Sequence, residues 1–413
     1  MTTRRADVVI VGAGQGGAQT AIMLRQQKFV GSILMIGAED FLPYERPALS
    51  KEYLAGDKTF EALVLRPASY WEEKQVEVRL GARVVAVDAT GYELRLEDGT
   101  VIGWGALVWA AGGNARRLGC SGHDLEGVHS VRDRADVDRM KSELETCREI
   151  VIVGGGYIGL EAAAVLRKQD KKVTVLEAEN RVLARVAGEA LSRFFESEHR
   201  AHGVDIHLRA KVVELEEKNG RVCGVRLVSG ESIPADLVIV GIGIDAAIEP
   251  LVAAGAETNH GVVVDLRGKT SLRDIYAVGD CAAHANVHAN GRVLRVESIQ
   301  NANDQAMVVA KSIAGSLGEG DRYDAVPWFW SNQYDLRLQT VGLSLDHDDV
   351  VIRGTPESRS FSIAYLREGR VIALDCINQT KDYVQGKALI TKGVVVDREK
   401  LARADVPLKE LVG

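Results

Sequence analysis

Hydrophobic positions along the chain follow two rhythms, and each rhythm predicts a type of secondary structure. Continuous apolar runs at residues 8–11 and 150–153 each lead into a glycine-rich turn and then into an apolar stretch with helical spacing. A second apolar run follows each stretch, at residues 32–36 and 173–176. Continuous apolar runs are typical of strands that are covered on both faces of a parallel sheet. The pattern therefore predicts two separate strand–helix–strand units.

Each predicted turn carries three glycines with the spacing G-x-G-x-x-G, and an acid follows the second strand of each unit. The glycines are Gly12, Gly14 and Gly17 in the first copy, and Gly154, Gly156 and Gly159 in the second. Such glycines allow a tight turn and close approach of a pyrophosphate to a helix N-terminus. The acids are Glu39 and Glu177. Glu177 is expected to accept hydrogen bonds from both ribose hydroxyls, and its charge disfavours the extra phosphate of NADP, so the sequence predicts NAD there.

Short alternating runs follow each nucleotide unit and predict a β-meander in each. The first meander is predicted at residues 76–80, 83–87, 93–96 and 107–110, and the second at residues 211–218, 221–227 and 236–240. Small residues end the last strand of each unit. They are Ala111 and Gly112 in the first unit, and Gly241 and Gly243 in the second. A strand that ends in small residues lets the backbone approach a cofactor closely.

The composition changes after Gly320, where an aromatic-rich segment leads into further alternating runs. Helices are predicted at residues 380–392 and 399–404, which indicates a third, α+β domain. The predicted fold class is α/β, with two Rossmann-like dinucleotide-binding domains of the glutathione-reductase type and a C-terminal α+β domain. The predicted domains are a first dinucleotide-binding domain at residues 1–115 and 245–320, an NAD-binding domain at residues 116–244, and a C-terminal domain at residues 321–413.

Composition and charge exclude several classes of function. The 413 residues carry a net charge of −7, which argues against general nucleic-acid binding. No apolar run is long enough to suggest a membrane span, and we expect a cytoplasmic protein. The five cysteines include no CxxC or CxxxxC pair, so the chain lacks the dithiol that disulfide-reducing flavoenzymes need. Each cysteine is expected to be a small buried hydrophobe, and no metal site is expected.

Five further segments, together with the two glycine turns, resemble the oxygenase-coupled, FAD-dependent ferredoxin reductases of the putidaredoxin reductase-like group. These segments are RPALSK at residues 46–51, LEAENRVLAR at 176–185, YAVGD at 276–280, PWFWSNQY at 327–334 and PLKEL at 407–411. The resemblance covers essentially the whole chain. It implies that the first unit binds FAD, that the second binds NADH, and that electrons pass to a [2Fe–2S] ferredoxin which feeds an oxygenase or monooxygenase.

The resemblance also implies roles for individual residues. Lys51 and Glu161 are expected beside the flavin ring, and Trp330 is expected where the iron–sulfur partner docks. The residues expected to contact the two cofactors are Gly12, Gly14, Gly17, Glu39, Arg46, Lys51, Val84, Ala111, Gly112, Arg132, Asp280, Ile299, Gly154, Gly156, Tyr157, Ile158, Gly159, Glu177, Arg185, Gly241 and Gly243. Two departures from the family pattern are the late position of Glu39 and the AAGG strand end at residues 110–113, which lacks the usual threonine hydroxyl.

The expected partner is an acidic ferredoxin that docks transiently on a monomer or weak dimer. Because the reductase itself is acidic, a local basic face is needed to steer such a partner. The candidate cations for this face are Arg295, Arg322, Arg337 and Lys387.

Three other functions compete with this interpretation. An NADH oxidase or peroxidase-like flavoprotein depends on a redox cysteine near the first flavin loop, and residues 40–54 contain none. A redox-signalling flavoprotein related to apoptosis-inducing factor would turn over slowly and form a long-lived complex with NADH after reduction. A nucleotide-binding scaffold without chemistry would not need Lys51 or Asp280 in addition to two glycine motifs.

Overall fold

A computed structural model describes residues 4–411, which form 25 strands and ten α-helices. The strands are β1 Arg4–Val11, β2 Ile33–Ile36, β3 Val76–Arg79, β4 Val84–Asp88, β5 Glu93–Leu96, β6 Val101–Trp109, β7 Gly113–Ala115, β8 Val128–His129, β9 Glu149–Val153, β10 Lys172–Glu177, β11 Asp205–Leu208, β12 Val212–Lys218, β13 Arg221–Leu227, β14 Ser232–Pro234, β15 Leu237–Val240, β16 Ile244–Ala246, β17 Val262–Val264, β18 Ile275–Ala277, β19 Ala282–Ala285, β20 Val293–Arg295, β21 Trp328–Gln333, β22 Leu336–Gly342, β23 Asp349–Thr355, β24 Ser360–Arg367 and β25 Arg370–Ile377. The α-helices are α1 Gln15–Gln26, α2 Glu52–Ala55, α3 Ala68–Glu73, α4 Arg134–Leu144, α5 Tyr157–Lys168, α6 Glu189–Ala201, α7 Glu249–Ala253, α8 Ile299–Ala314, α9 Thr380–Lys392 and α10 Arg398–Ala402. Short 3₁₀ helices lie at Arg46–Ser50, Glu61–Leu63, Gly279–Cys281, Val287–Ala289, Pro356–Ser358 and Leu408–Leu411.

The described chain divides into two compact units, and each is described by itself. The first unit contains the described residues up to Glu45, together with Leu63–Asn114 and Asp245–Phe329. The second unit contains Arg46–Ala62, Ala115–Ile244 and the described residues from Trp330 onward. The assignment of FAD, NAD and a separate C-terminal domain to the three predicted residue ranges stays a prediction.

The first unit is built on a seven-stranded sheet with the order β3-β2-β1-β6-β5-β4, in which β18 also pairs with β6. Strand β1 is parallel to both β2 and β6. Val9 and Val11 pack into one hydrophobic cluster, whereas Val8 and Ile10 pack into another. The sheet is therefore covered on both faces, which explains why β1 has a continuous apolar run rather than an alternating one.

One strand predicted for the first meander lies elsewhere in this sheet. Strand β3 pairs in parallel with β2, with Val76 opposite Ile33, so residues 76–80 do not belong to the meander. The antiparallel strands are β4, β5 and β6. Four alternating residues fit a parallel edge strand as well as a meander strand, and only the tertiary pairing distinguishes the two.

The second unit contains a five-stranded parallel sheet with the order β11-β10-β9-β15-β8. The prediction that residues 236–240 belong to the second meander is wrong, because β15 pairs in parallel with β9, with Leu237 opposite Ile150. All four residues of β15 are buried, as expected for a strand inside a parallel sheet. The meander is instead completed by β14, which pairs with β13.

The last part of the second unit is a five-stranded antiparallel sheet with the order β21-β22-β25-β24-β23, against which α9 packs. Helix α9 has the predicted bounds, and the next helix begins one residue before its predicted start. The buried Arg353 of β23 binds Asp382 of α9 at 2.8 Å. Its guanidinium also donates to the carbonyl oxygens of the C-terminal segment, at Leu401, Arg403, Ala404 and Val406.

Within residues 4–411, no helix has the length and apolar character that crossing a membrane requires.

Cys147, Cys281 and Cys376 are buried as expected, but Cys120 is only half-buried and Cys223 is exposed on β13. The prediction of a buried thiol is therefore wrong for Cys223. Residue 223 is an exposed position of β13 between the buried Val222 and Gly224.

Candidate cofactor-binding and redox sites

The first glycine turn can be built only from glycine at two of its positions. Gly12 has a φ of +115°, and a Cβ atom there would lie 2.2 Å from the carbonyl oxygen of Ala110. A Cβ atom on Gly17 would lie 1.8 Å from the carbonyl oxygen of Gly12. Gly14 precedes α1, and no described side chain caps this helix end. The free N–H groups of the first turn, and the positive end of the helix dipole, therefore suit a phosphate group.

Four segments meet around this turn. A Cβ atom on Gly16 would lie 3.2 Å from Val278 and 3.8 Å from both Ala110 and Ala302. The ends of β6 and β18 and the starts of α1 and α8 therefore adjoin one another. Because Ala111, Gly112, Asp280 and Ile299 lie in or next to these four segments, the structure brings together most of the first-unit residues that were predicted to contact a cofactor. This arrangement fits a dinucleotide pyrophosphate at the start of α1.

The other predicted residues of this unit have different surroundings. The Glu39 carboxylate accepts a hydrogen bond from the Tyr44 hydroxyl at 2.6 Å. Val84 is buried in a hydrophobic cluster that also contains Leu96. The backbone carbonyl oxygen of Asp280 accepts a hydrogen bond from Arg295, so this oxygen already has a partner within the protein.

Cys281 follows Asp280 directly, but it lacks the character of a redox thiol. Its side chain is fully buried, and burial raises its pKa to about 11. A thiol with this pKa stays protonated at neutral pH, and the thiolate is the reactive form of cysteine. Cys281 therefore behaves as a small core residue, as the sequence predicted for it.

The second glycine turn repeats the steric pattern of the first. Gly154 has a φ of +113°, and a Cβ atom there would lie 2.4 Å from the carbonyl oxygen of Gly241. A Cβ atom on Gly159 would lie 2.2 Å from the carbonyl oxygen of Gly154. Helix α5 begins after Gly156, and again no side chain in the described chain caps it. This turn also fits a dinucleotide pyrophosphate.

Glu177 and Arg185 lie at the same end of the parallel sheet as this turn. The Glu177 carboxylate accepts hydrogen bonds from the backbone nitrogens of Gly155 at 2.8 Å and Glu179 at 2.9 Å. Arg185 donates to the carbonyl oxygen of Ile242 at 3.3 Å, between the two predicted glycines that follow β15. Of the two residues between Gly156 and Gly159, Tyr157 is half-buried and Ile158 is exposed.

A buried ion pair lies elsewhere in the second unit. The Lys51 ammonium is 2.9 Å from Glu161 Oε2, and Lys51 and Glu161 are 9% and 4% exposed. Ser50 Oγ donates to the same carboxylate oxygen at 2.6 Å, and Ser331 Oγ donates to Oε1 at 2.7 Å. Every part of the buried carboxylate therefore has a partner, which offsets the free energy of removing its charge from water.

Sequence reasoning identified Lys51 and Glu161 but missed the two serines. Ser50 stands immediately before Lys51, and Ser331 stands immediately after Trp330, so both lie inside segments that carried the family resemblance. Trp330 itself is half-buried on β21. Arg46 and Arg132 also meet, since Arg46 donates to the carbonyl oxygen of Arg132 at 2.8 Å.

Comparisons with known proteins agree with this geometry. Residues 6–306 match the pyridine nucleotide-disulphide oxidoreductase family, and residues 328–412 match the reductase C-terminal domain. A ferredoxin–NAD(P)+ reductase from Sphingomonas sp. is 58% identical over 398 residues, which cover 96% of this chain and 95% of that protein. The ferredoxin reductase subunit of 5,5'-dehydrodivanillate O-demethylase from Sphingobium sp. is 56% identical and covers 98% of both chains.

A solved structure gives the same result for the fold. The putidaredoxin reductase in its covalent complex with putidaredoxin has a TM-score of 0.94 and is 36% identical, with 98% of each chain covered. The expected fold class is confirmed, and so is the expectation of an oxidoreductase that uses FAD and a nicotinamide dinucleotide. The chain belongs to the pyridine nucleotide-disulphide oxidoreductase family, among the ferredoxin reductases that carry a reductase C-terminal domain.

Proposed function

We propose that this protein takes electrons from NADH through FAD to a [2Fe–2S] ferredoxin that feeds an oxygenase or monooxygenase. The observation that carries the proposal is the pair of glycine turns in one chain, each of which requires glycine sterically and starts an uncapped helix. The names of the relatives support the choice of acceptor, because they describe reductases of ferredoxins and a subunit of an O-demethylase.

The first turn and the segments around it would hold FAD. When bound, FAD supplies the chemistry that converts a two-electron hydride into single electrons. The N-terminus of α1 would bind the pyrophosphate, and Asp280 would bond a hydroxyl of the sugar-alcohol chain. In this proposal Arg46 and Arg132 contact FAD as well, as the family resemblance implies.

The second turn would hold NADH. The carboxylate of Glu177 already lies against the turn, at Gly155, where a ribose would follow the pyrophosphate. A negative charge at this position favours a ribose with free hydroxyls over one with a 2′-phosphate. Arg185 and the glycines after β15 would form the other wall of this site.

Lys51 and Glu161 would act electrostatically beside the flavin. Reduction builds negative charge on the flavin ring, and an oriented cation in a site without water stabilises such charge more strongly than a cation in water does. Glu161 holds the Lys51 ammonium in one position, and Ser50 and Ser331 hold Glu161. No general base is needed, because hydride transfer moves no separate proton from the nicotinamide.

An acidic ferredoxin would dock near Trp330 and be steered by exposed cations of the second unit. Helix α9 presents three exposed lysines, Lys381, Lys387 and Lys392, around the exposed Val384. The only acid of this helix, Asp382, is buried against Arg353. A basic face with an apolar centre suits a transient acidic partner.

The four cations proposed from the sequence differ in how available they are. The side chain of Arg295 is only 13% exposed and pairs with Glu297, and Arg322 pairs with Asp324. Arg337 and Lys387 are exposed in the second unit. We therefore propose Lys387, together with its two neighbours on α9, as the main docking cations.

Two other functions would change the expected kinetics. An NADH oxidase would consume oxygen rapidly without any partner, and a signalling flavoprotein related to apoptosis-inducing factor would stay reduced in a long-lived nucleotide complex. The deciding experiment is the purified protein with NADH and a series of [2Fe–2S] ferredoxins. We expect fast reduction of at least one ferredoxin and slow oxygen consumption without it. Rapid oxygen consumption that is the same with and without ferredoxin, with no ferredoxin reduced, would overturn the proposal.

The proposal includes two properties of the protein in solution. We propose a monomer or weak dimer, which light scattering across a concentration series would test. We also propose the cytoplasm as its compartment, because all five cysteines are unpaired thiols and free thiols are typical of a reducing compartment.

A further inference from the structure

A chain of buried hydrogen bonds leads from Glu161 into the C-terminal sheet. Ser331 Oγ donates to Glu161 Oε1 at 2.7 Å, and Gln333 Nε2 donates to Ser331 Oγ at 3.1 Å. Ser331 and Gln333 are two residues apart on β21, so their side chains lie on the same face of the strand. Both residues are 1% exposed, so water does not compete for these bonds.

His199 of α6 extends this chain. Its Nε2 lies 2.8 Å from Gln333 Oε1, and its Nδ1 lies 3.0 Å from the hydroxyl of Tyr334. His199 is fully buried, and burial lowers its pKa to about 4, so the ring is neutral at neutral pH. A neutral imidazole has one donor and one acceptor nitrogen.

The chemistry of these groups fixes the direction of every bond. Because an amide oxygen can only accept, His199 Nε2 must carry the hydrogen and donate to Gln333. Nδ1 is then an acceptor, and the Tyr334 hydroxyl donates to it. All bonds therefore point the same way, from Tyr334 through His199, Gln333 and Ser331 to the carboxylate.

The outer end of this chain reaches an open surface pocket. The Tyr334 ring stacks on His202, with ring centres 3.7 Å apart and planes 13° from parallel. These two rings line a pocket of about 360 Å³ together with Arg167, Lys168 and Asp335. Gln333 lies in the middle of this series of hydrogen bonds, and an amide does not readily pass a proton onward. The hydrogen bonds are therefore suited to orienting side chains rather than to conducting protons.

We propose that Ser331, Gln333 and His199 are positioning residues for Glu161, and through Glu161 for the Lys51 ammonium. This inference rests on the proposed electrostatic role of Lys51 and deepens it. Lys51 and Ser50 both donate to Oε2 of Glu161, whereas Ser331 donates to Oε1. Without Ser331 the carboxylate can rotate about its Cγ–Cδ bond, and the Lys51 ammonium moves with it.

A matched pair of variants tests the inference. Ser331→Ala removes the bond to Glu161, and Ser331→Thr keeps a hydroxyl at that position. Ser362→Ala is the control, because Ser362 is also buried and donates at 2.9 Å to a carboxylate, Asp382, that is ion-paired with Arg353. We expect S331A and S362A to lose similar thermal stability, whereas only S331A shifts the midpoint potential of the flavin, and S331T restores it. The inference would be overturned if the midpoint potential of the flavin were the same in S331A, in S362A and in the unsubstituted protein.

A second measurement needs neither flavin nor ferredoxin. In the ¹⁵N spectrum of the histidine-labelled full chain, the signals of His199 are assigned by their absence in His199→Gln. We expect the tautomer protonated at Nε2, and loss of this preference in Gln333→Leu. The tautomer protonated at Nδ1 would overturn the inference even if ferredoxin reduction is observed. Failure of the protein to reduce any ferredoxin, with this tautomer present and the potential shifted in S331A, would contradict only the proposed acceptor.

Discussion

The Glu177 Oε2 atom lies 2.8 Å from the backbone nitrogen of Gly155 and accepts its hydrogen. The residue predicted to bind a ribose therefore also stabilises the turn that would hold the pyrophosphate. An ionised carboxylate has about four acceptor positions, so the two roles are compatible. Variants of Glu177 must therefore distinguish an effect on the choice between NADH and NADPH from an effect on the stability of the turn.

Glu177→Ala should raise the KM for NADH and narrow the advantage of NADH over NADPH. A hydrogen bond to a charged group contributes about 1.5–3 kcal/mol, so the preference for NADH over NADPH should fall by about 10- to 140-fold. Glu177→Gln is the control, since it keeps an oxygen that can accept from Gly155 but removes the charge. Glu177→Gln should also narrow the preference for NADH over NADPH, but it should lose less thermal stability than Glu177→Ala. An unchanged NADH/NADPH ratio in both variants would count against a ribose role.

Lys51→Met should slow flavin reduction by NADH or shift the flavin potential, because the cation beside the developing negative charge is lost. Stopped-flow absorbance of the flavin measures the first effect. Lys141→Met is the control, since Lys141 is another cation of the second unit, which donates to the carbonyl oxygen of Tyr53 and lies 4.5 Å from the centre of the Tyr53 ring. Traces for K51M that superimpose on those of K141M would exclude a direct role for Lys51.

Asp375→Asn should stabilise the protein above pH 6 and have no such effect near pH 3.5. Burial raises the pKa of Asp375 to about 6, from 3.8 in the unfolded chain, although the Tyr365 hydroxyl donates to it at 2.6 Å. Between these two pH values the unfolded state loses the proton first, so the stability of the unsubstituted protein falls as the pH rises through this window. A shift of this size corresponds to about 3 kcal/mol.

Denaturant unfolding of D375N and the unsubstituted protein across pH 3.5–8 measures this difference. The asparagine retains an oxygen that can accept from Tyr365, so the hydrogen bond itself is not the variable. A difference in unfolding free energy that is constant over the whole pH range would show that the ionisation of Asp375 is not its source.

Arg353→Met should destabilise the protein by about 3–5 kcal/mol, because it leaves the buried Asp382 without its cation and frees the carbonyl oxygens of the C-terminal segment. Chemical unfolding gives the magnitude, and the double variant with Asp382→Leu should recover part of it. Arg398→Met is the control, since Arg398 pairs with Asp349 at 2.7 Å on the surface. Its loss should destabilise the protein far less than R353M does, because solvent screens an exposed ion pair. Equal losses for R353M and R398M would contradict the role of burial.

The sequence predicted local features of this protein well and distant pairings poorly. Both glycine turns and the bounds of α9 could be predicted, because short-range spacing and helical periodicity determine them. The parallel pairing of β15 with β9 could not, since it depends on which strand fills the gap in a sheet. The bond from Ser331 to Glu161 joins residues 170 positions apart, and no pattern in either segment indicates it.

The C-terminal sheet is fitted to the rest of the second unit at individual atoms. A Cβ atom on Gly188 would lie 2.5 Å from the Tyr365 ring, and Ser331 supplies a hydroxyl to Glu161. A tail transplanted from a homologous reductase would therefore have to arrive with compatible residues at both places. Chimeras of these enzymes should recombine cleanly only when residues 161 and 188 are exchanged together with the tail that contacts them.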